Sequence, residues 1–278
     1  MSMAPSSVIS EVAYVNDEWR DRREMPRIYS RQSRRQNTSL REVEIHDARP
    51  GNQAGAFTLE ANGFVMVDHK SAFAEFDSKE RVLAEYFPEA EELLLSVTGA
   101  VAALPFPFYQ VRTREPEHFF DAYSLYMHCD YSMSSCAGLS KSIFKINDQV
   151  GAYPPEDWHY VFYNLWRAVD YPAERDPLVW VDAGSVDPAD IIDYSPVKDQ
   201  GKGAAAVPVY NSRHQHYYMP DLRPDEVVIL KQLDSRPERI QVSPHTSFVD
   251  PEAAPDARPR RSIDIRFMCL FPKTGEDQ

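Results

Sequence analysis

The run Tyr123–Ser132, YSLYMHCDYS, sets His128 and Asp130 one residue apart. On an extended strand residues i and i+2 point to the same side, so an imidazole and a carboxylate would converge on one point. That is part of a metal site, or else an ordinary polar strand face. Open non-haem iron sites use two histidines and one carboxylate and leave the other positions to substrate and oxygen. A second histidine is therefore expected downstream, on another strand. Of the eight histidines, His46 and His69 precede the strand-rich region, His118 precedes the motif, and His159 opens a strand. His214 and His216 form a His-x-His pair that competes for the role. His245, in VSPHTSF, is preferred because RRSIDIR follows, with Arg260, Ser262 and Arg266. A guanidinium fork takes a carboxylate through two hydrogen bonds and the hydroxyl adds a third donor, which suits a dicarboxylate.

Arg260, Ser262, Asp264 and Arg266 share one face if the segment is a regular strand. Arg260 lies nearer the strand's start and hence the mouth of a site. Arg266 lies deeper, where it is expected to pair with an acid such as Asp264 or to reach a substrate carboxylate. Which of the two arginines anchors a ligand stays open. Asn164, Arg167, Tyr218 and Lys231 sit in strand-like runs and are further pocket candidates, although Lys231 has Asp234 and Glu226 within pairing reach. Cys129, Trp166 and Trp180 read as core.

The elements that must position these groups are mostly strands. HYVFYNLWRAV, DPLVWVDAGSV, AVPVYNSRHQHYYMP, DEVVILKQLDS, RIQVSPHTSFVDP and RSIDIRFMCLF are short, rich in Val, Ile and Tyr, and bounded by Pro, Asp or Gly. Upstream, GAFTLEANGFVMVDHK reads as strand, turn, strand about Asn62-Gly63. SKERVLAEYFPEAEELLLSVTGA has apolar residues at helical spacing, broken near Pro88. Strands preceded by helices predict a mainly β fold with flanking helices, a double-sheet jelly roll. Residues 1–55, polar and arginine-rich, read as an N-terminal arm that wraps the surface or is partly flexible, the alternative being that its basic run shields a binding site or contacts a partner subunit. Residues 56–278 read as a single domain.

The formal net charge of −13 argues against a nucleic-acid or anionic-membrane partner, since each needs a basic face. It leaves room for an anionic small molecule in a locally basic pocket. Three cysteines in no disulfide or CxxC pattern fit a reducing, cytoplasmic setting. No apolar run is long enough to span a membrane.

The order His-x-Asp, long gap, His, short gap, Arg-x-Ser resembles the iron(II)/2-oxoglutarate-dependent oxygenases, whose double-stranded β-helix is a cupin-like jelly roll. From about residue 100 to 272 the chain is similar, segment after segment, to a fungal and bacterial hydroxylase/desaturase family. That family has members associated with cephamycin 7α-methoxylation and gibberellin-desaturase-like members, many of them in secondary metabolism. The resemblance implies iron(II) on His128, Asp130 and His245, 2-oxoglutarate on Arg260 and Ser262, with Arg266 as the rival anchor, and dioxygen as the oxidant. It implies oxidation of a C–H bond of a small molecule by hydroxylation, desaturation or ring closure. Two alternatives stay open: a non-catalytic accessory or binding protein on the same fold, or a cupin-like metalloenzyme that does not use 2-oxoglutarate. A homodimer is a further open reading.

Overall fold

A computed structural model describes residues 7–106, 109–113, 122–149, 151–198, 205–236, 238–239 and 242–273. His118 lies outside them. Two facing sheets carry the fold. The larger has the order β3 (Phe64–Asp68), β11 (Glu226–Asp234), β6 (Trp158–Ala168), β13 (Ser262–Pro272) and β4 (Ala102–Pro105), with β5 (Gln110–Arg112) also on β13. The smaller has the order β1 (Ser7–Val15), β2 (Thr38–Asp47), β10 (His216–Tyr218), β7 (Leu178–Val181) and β12 (His245–Ser247). β8 (Ile191–Tyr194) and β9 (Ala205–Pro208) pair separately. This is a double-stranded β-helix, as the strand pattern predicts.

Alternation along β6 and β13 sorts their side chains. Val161, Tyr163, Leu165, Ile263, Ile265 and Phe267 form an outer core with Phe87, Ala90 and Leu94 of the helix Phe87–Thr98. Burying each of these large apolar side chains contributes about 1.5–3 kcal/mol. Ser262, Asp264 and Arg266 fall between them and face the space between the sheets, because successive side chains point to opposite faces. The helix carries Pro88 in its first turn, where no backbone N–H is needed. A π-helical turn, Val82–Tyr86, joins it to the turn before, so the expected break is a change of helical type. Gly99 ends the helix at φ 68°, the left-handed C-cap that favours glycine.

Two expectations are corrected. Residues 57–62 are not a strand. The Asn62 side chain accepts from Thr58 N and the Thr58 hydroxyl from Ala61 N, so local side-chain bonds take backbone donors a strand would use. The arm does not stand apart either. β1 and β2 pair along their whole length and belong to the smaller sheet, with Val12, Tyr14 and Ile45 at most 1 % exposed. β2 runs parallel to β10. Alternating Val and Tyr in SVISEVAYV was the signal, masked by the arginine-rich stretch after it.

Candidate active site

His128 and Asp130 stand on an irregular segment that makes single bridges rather than a continuous strand. His128 bridges His245 and Cys129 bridges Ala206. The i, i+2 argument nevertheless holds locally, because those bridges keep the segment extended. Cys129 turns away into a small core with Ala206 and Val242. Beyond the motif, the Ser132 hydroxyl caps the helix Met133–Ile146 by accepting from Ser135 N, which fixes the chain just past Asp130.

His128 Nε2 lies 3.8 Å from Asp130 Oδ1, and His245 Nε2 lies 3.8 Å from Asp130 Oδ2. One donor atom from each of the three residues lies within 4.8 Å of the others. The Nδ1 atoms are engaged elsewhere. His128 Nδ1 meets Tyr126 O at 3.0 Å, and His245 Nδ1 meets Ser243 O at 3.3 Å. A carbonyl only accepts, so each Nδ1 carries the proton and each Nε2 presents a lone pair toward Asp130. A separation of 3.8 Å is too long for a hydrogen bond. Two lone pairs converging on a carboxylate across that gap suit a cation between them. Burial, with the neighbouring His245, lowers the pKa of His128 to about 3 and keeps it neutral. Burial opposes ionisation of Asp130, yet Arg266, then His245, His128 and Asn164, hold its pKa below the usual carboxylate range. Two imidazole nitrogens and one carboxylate are the donor set of an open non-haem iron site.

Asp130 is gripped from the larger sheet. Asn164 Nδ2 donates to Asp130 Oδ2, and Arg266 meets Oδ1 at 3.0 Å. Asn164 and Arg266 are cross-strand partners on β6 and β13. Arg266 also pairs with Asp264 at 3.0 Å. Thus Arg266 is engaged by two carboxylates, the acid pairing expected of the deeper arginine. Gln232, fully buried beside an irregularity in β11, accepts from Asp130 N at 3.2 Å and donates to Ser243 O at 2.9 Å. It ties the Asp130 segment to the carbonyl that orients His245. Sequence reading missed it, since a glutamine inside VVILKQLDS signals only a break in apolar character.

Arg260 and Ser262 are 2 % and 0 % exposed. The guanidinium of Arg260 lies over Tyr123 at 4.2 Å and near Trp166 at 5.1 Å. It donates to Asp176 O at 2.7 Å and Ser247 Oγ at 3.0 Å. Its Nε and the Ser262 hydroxyl have no hydrogen-bond partner, and among the described residues no carboxylate pairs with Arg260. Burial lowers the pKa of Arg260 to about 10, offset only in part by Tyr123 and Asp176. Arg260, His128, His245, Asn164, Trp166 and Asp264 line one chamber between the sheets. A neighbouring cavity of about 200 Å³ reaches His128 and Asp130 past Arg34, Arg112, Tyr126 and Tyr194. Trp166, expected as core, is therefore also a wall of the site, and Arg34 brings the arm to its edge.

Three weaker candidates fall elsewhere. Arg167 is on the outer face of β6 against His69. Tyr218 packs on Phe248 in the core of the smaller sheet. Lys231, fully buried, pairs with Asp234 at 2.8 Å, one of its two expected acids. Each was drawn from a strand whose facing is decided by pairing. His214 and His216 both meet the Tyr14 hydroxyl, at 3.2 and 2.7 Å, away from the Asp130 cluster.

The fold and site define an oxidoreductase of the double-stranded β-helix class. The family described as the oxidoreductase/YMDC permease-like domain matches residues 12–270, and the chain belongs to it. No helix among the described residues is long and apolar enough to cross a membrane. The chain is 28 % identical to the alpha-ketoglutarate-dependent dioxygenase phiK of a fungal species, over 85 % of this chain and 86 % of that one. It is 27 % identical to the Fe(II)/2-oxoglutarate-dependent dioxygenase nvfI of Aspergillus novofumigatus, over 84 % of each. It is 28 % identical to the hydroxylase/desaturase asaB of Aspergillus flavus, over 69 % of this chain and 91 % of that one. A solved structure titled iron and alpha-ketoglutarate-dependent endoperoxidase NvfI superimposes with a TM-score of 0.82 at 23 % identity, covering 98 % of this chain and 100 % of that one. These names agree with the family resemblance that the sequence carries.

Proposed function

We propose that this chain is an iron(II)- and 2-oxoglutarate-dependent oxygenase acting on a C–H bond of a small molecule in secondary metabolism. His128, Asp130 and His245 would hold the metal, and Arg260 with Ser262 the distal carboxylate of 2-oxoglutarate. The observation that carries this reading is a buried guanidinium with an unsatisfied Nε and no carboxylate in ion-pair contact among the described residues, lining the same chamber as His128 and His245. A buried cation that lacks a direct anionic partner is costly, and a dicarboxylate supplies one.

When bound, iron(II) with 2-oxoglutarate and dioxygen supplies the oxidant that removes hydrogen, releasing succinate and carbon dioxide. The protein's own part is positioning. Asn164 and Arg266 keep Asp130 ionised and oriented. The Tyr126 and Ser243 carbonyls fix the imidazole tautomers. The rings of Tyr123 and Trp166 pack on the Arg260 guanidinium and help exclude water from it. The cavity past Arg34 and Arg112 places the substrate carbon against the donor cluster, and such alignment is a large share of what an enzyme contributes. Hydroxylation, desaturation and ring closure are all compatible with this arrangement.

The net charge of −13 supports a partner other than nucleic acid. Cys129, Cys136 and Cys269, all free and buried, support a reducing compartment such as the cytoplasm. The edge strand β1, with Ile9 exposed, supports a homodimer.

Anaerobic addition of iron(II) and then 2-oxoglutarate tests the proposal. A weak visible charge-transfer band that needs both components, and succinate released when oxygen is admitted, are expected. Binding of metal without any response to 2-oxoglutarate would favour the cupin-like alternative.

A further inference from the structure

A second buried arginine lies outside the site. Arg167 is on the face of β6 opposite Asn164 and Trp166, paired through its backbone with Ile263. It is 2 % exposed. Its guanidinium lies over the Tyr86 ring, 5.5 Å from the centroid, and one amino group meets His69 Nδ1. Its Nε and other amino nitrogen have no hydrogen-bond partner. Among the described residues no carboxylate pairs with it; Glu89 stands beyond His69, 3.8 Å from Nδ1. Leaving buried donors unsatisfied costs free energy, more when the group is charged.

Arg167 also lines an open cleft of about 390 Å³ whose walls include Phe73, Phe76, Pro172 and Pro224. The volume falls within the range of small-molecule sites. Two acids line the cleft, and both are already engaged: Asp170 by Arg261, and Asp225 by Arg223. The exposed Lys70 adds a second cation at the rim. One buried guanidinium with free donors, two aromatic rings and a rim ammonium define what fits. The head is anionic and planar, because the fork matches a carboxylate, and the body is apolar.

We propose that this cleft is a binding site for a small-molecule monocarboxylate with an apolar body, its carboxylate on Arg167 and its body against Phe73 and Phe76. The site is separate from the metal chamber, and it stands whether or not the proposed oxygenase activity does.

Calorimetric titration with octanoate, with 1-octanol and inorganic phosphate as comparisons, tests it. An Arg260→Leu background removes the carboxylate anchor of the metal chamber. Octanoate should bind this protein at one site, and octanol and phosphate about tenfold more weakly or worse. Arg167→Met should weaken octanoate by about tenfold or more. Ala74→Trp, which adds bulk to the cleft from an exposed lining position and leaves Arg167 in place, should do the same. It decides the matter if Arg167→Met does not fold. Octanoate binding that is absent, that disappears with Arg260→Leu, or that survives Ala74→Trp would overturn the proposal. Octanol or phosphate binding as tightly as octanoate would overturn it too.

Discussion

His128 and His245 exchange both of their backbone hydrogen bonds, His128 N donating to His245 O at 3.1 Å and His245 N to His128 O at 2.9 Å. This is the close pairing of an antiparallel ladder. Two histidines far apart in the chain are thereby set side by side, with ring centroids 4.6 Å apart. Neither can shift without carrying the other.

It follows that His128→Ala, Asp130→Ala and His245→Ala should each abolish tight iron binding and turnover while the far-ultraviolet circular dichroism stays as in the parent. Each removes one of three protein donors. His214→Ala should keep its iron. Metal content after gel filtration checks this, and retention of iron by His245→Ala would refute the assignment.

The two arginines of β13 should separate. Arg260→Leu should weaken 2-oxoglutarate by about 100-fold, with iron affinity little changed, since it removes the partner of a buried carboxylate. Arg266→Met should instead loosen Asp130. Its expected signature is weaker iron and a stability loss of about 3–5 kcal/mol, because two buried carboxylates lose their counter-ion. Titrating 2-oxoglutarate into both iron-loaded variants distinguishes them.

Gln232→Met keeps the volume and removes the amide that joins Asp130 N to Ser243 O. Iron affinity should fall about 10- to 100-fold, the usual cost of losing a group that orients ligands. An unchanged iron titration would show that the bulge in β11 holds the ligands without it.

Acid should destabilise the fold through His216. Burial, with His214 nearby, lowers its pKa to about 3. Between that value and about 6.5, the ordinary histidine pKa, the unfolded chain binds the proton and the folded one does not. Stability therefore rises with pH across this window and is lost as pH falls through it. His216→Gln keeps an acceptor for Tyr14 and cannot charge. Urea unfolding should show a smaller loss from pH 7 to pH 4.5 in this variant, by roughly 2–3 kcal/mol.

Deletion through Val15 should lower the melting temperature by roughly 10 °C or more. Val8, Val12, Tyr14 and Val15 are buried and Tyr14 bonds His216, so the segment packs on the smaller sheet despite the polar texture of the arm. A truncated chain that melts like the full one would restore the looser arm.

The candidate site was legible because it is written in residue types and order. His128-x-Asp130, His245 and Arg260-x-Ser262 are local patterns, and alternation on β13 is enough to put Ser262, Asp264 and Arg266 on one face. The mainly β fold was legible for the same reason, since short runs of Val, Ile and Tyr carry their own period. What local pattern cannot hold is which side of a strand meets which neighbour. Arg167 and Asn164 lie on the same strand, yet one grips Asp130 and the other lies under Tyr86 on the outer face. Lys231 and Gln232 are adjacent, yet one closes an ion pair and the other joins the two ligand segments. Those assignments depend on strand register, on the irregularity in β11 and on the ladder between His128 and His245. All three are long-range pairings whose energy comes from contacts distant in sequence. The residue types thus determined which groups could hold a metal and a dicarboxylate, and only the packing of the two sheets decided that Arg266 would serve Asp130 while Arg260 bonds a carbonyl and a hydroxyl instead of a carboxylate.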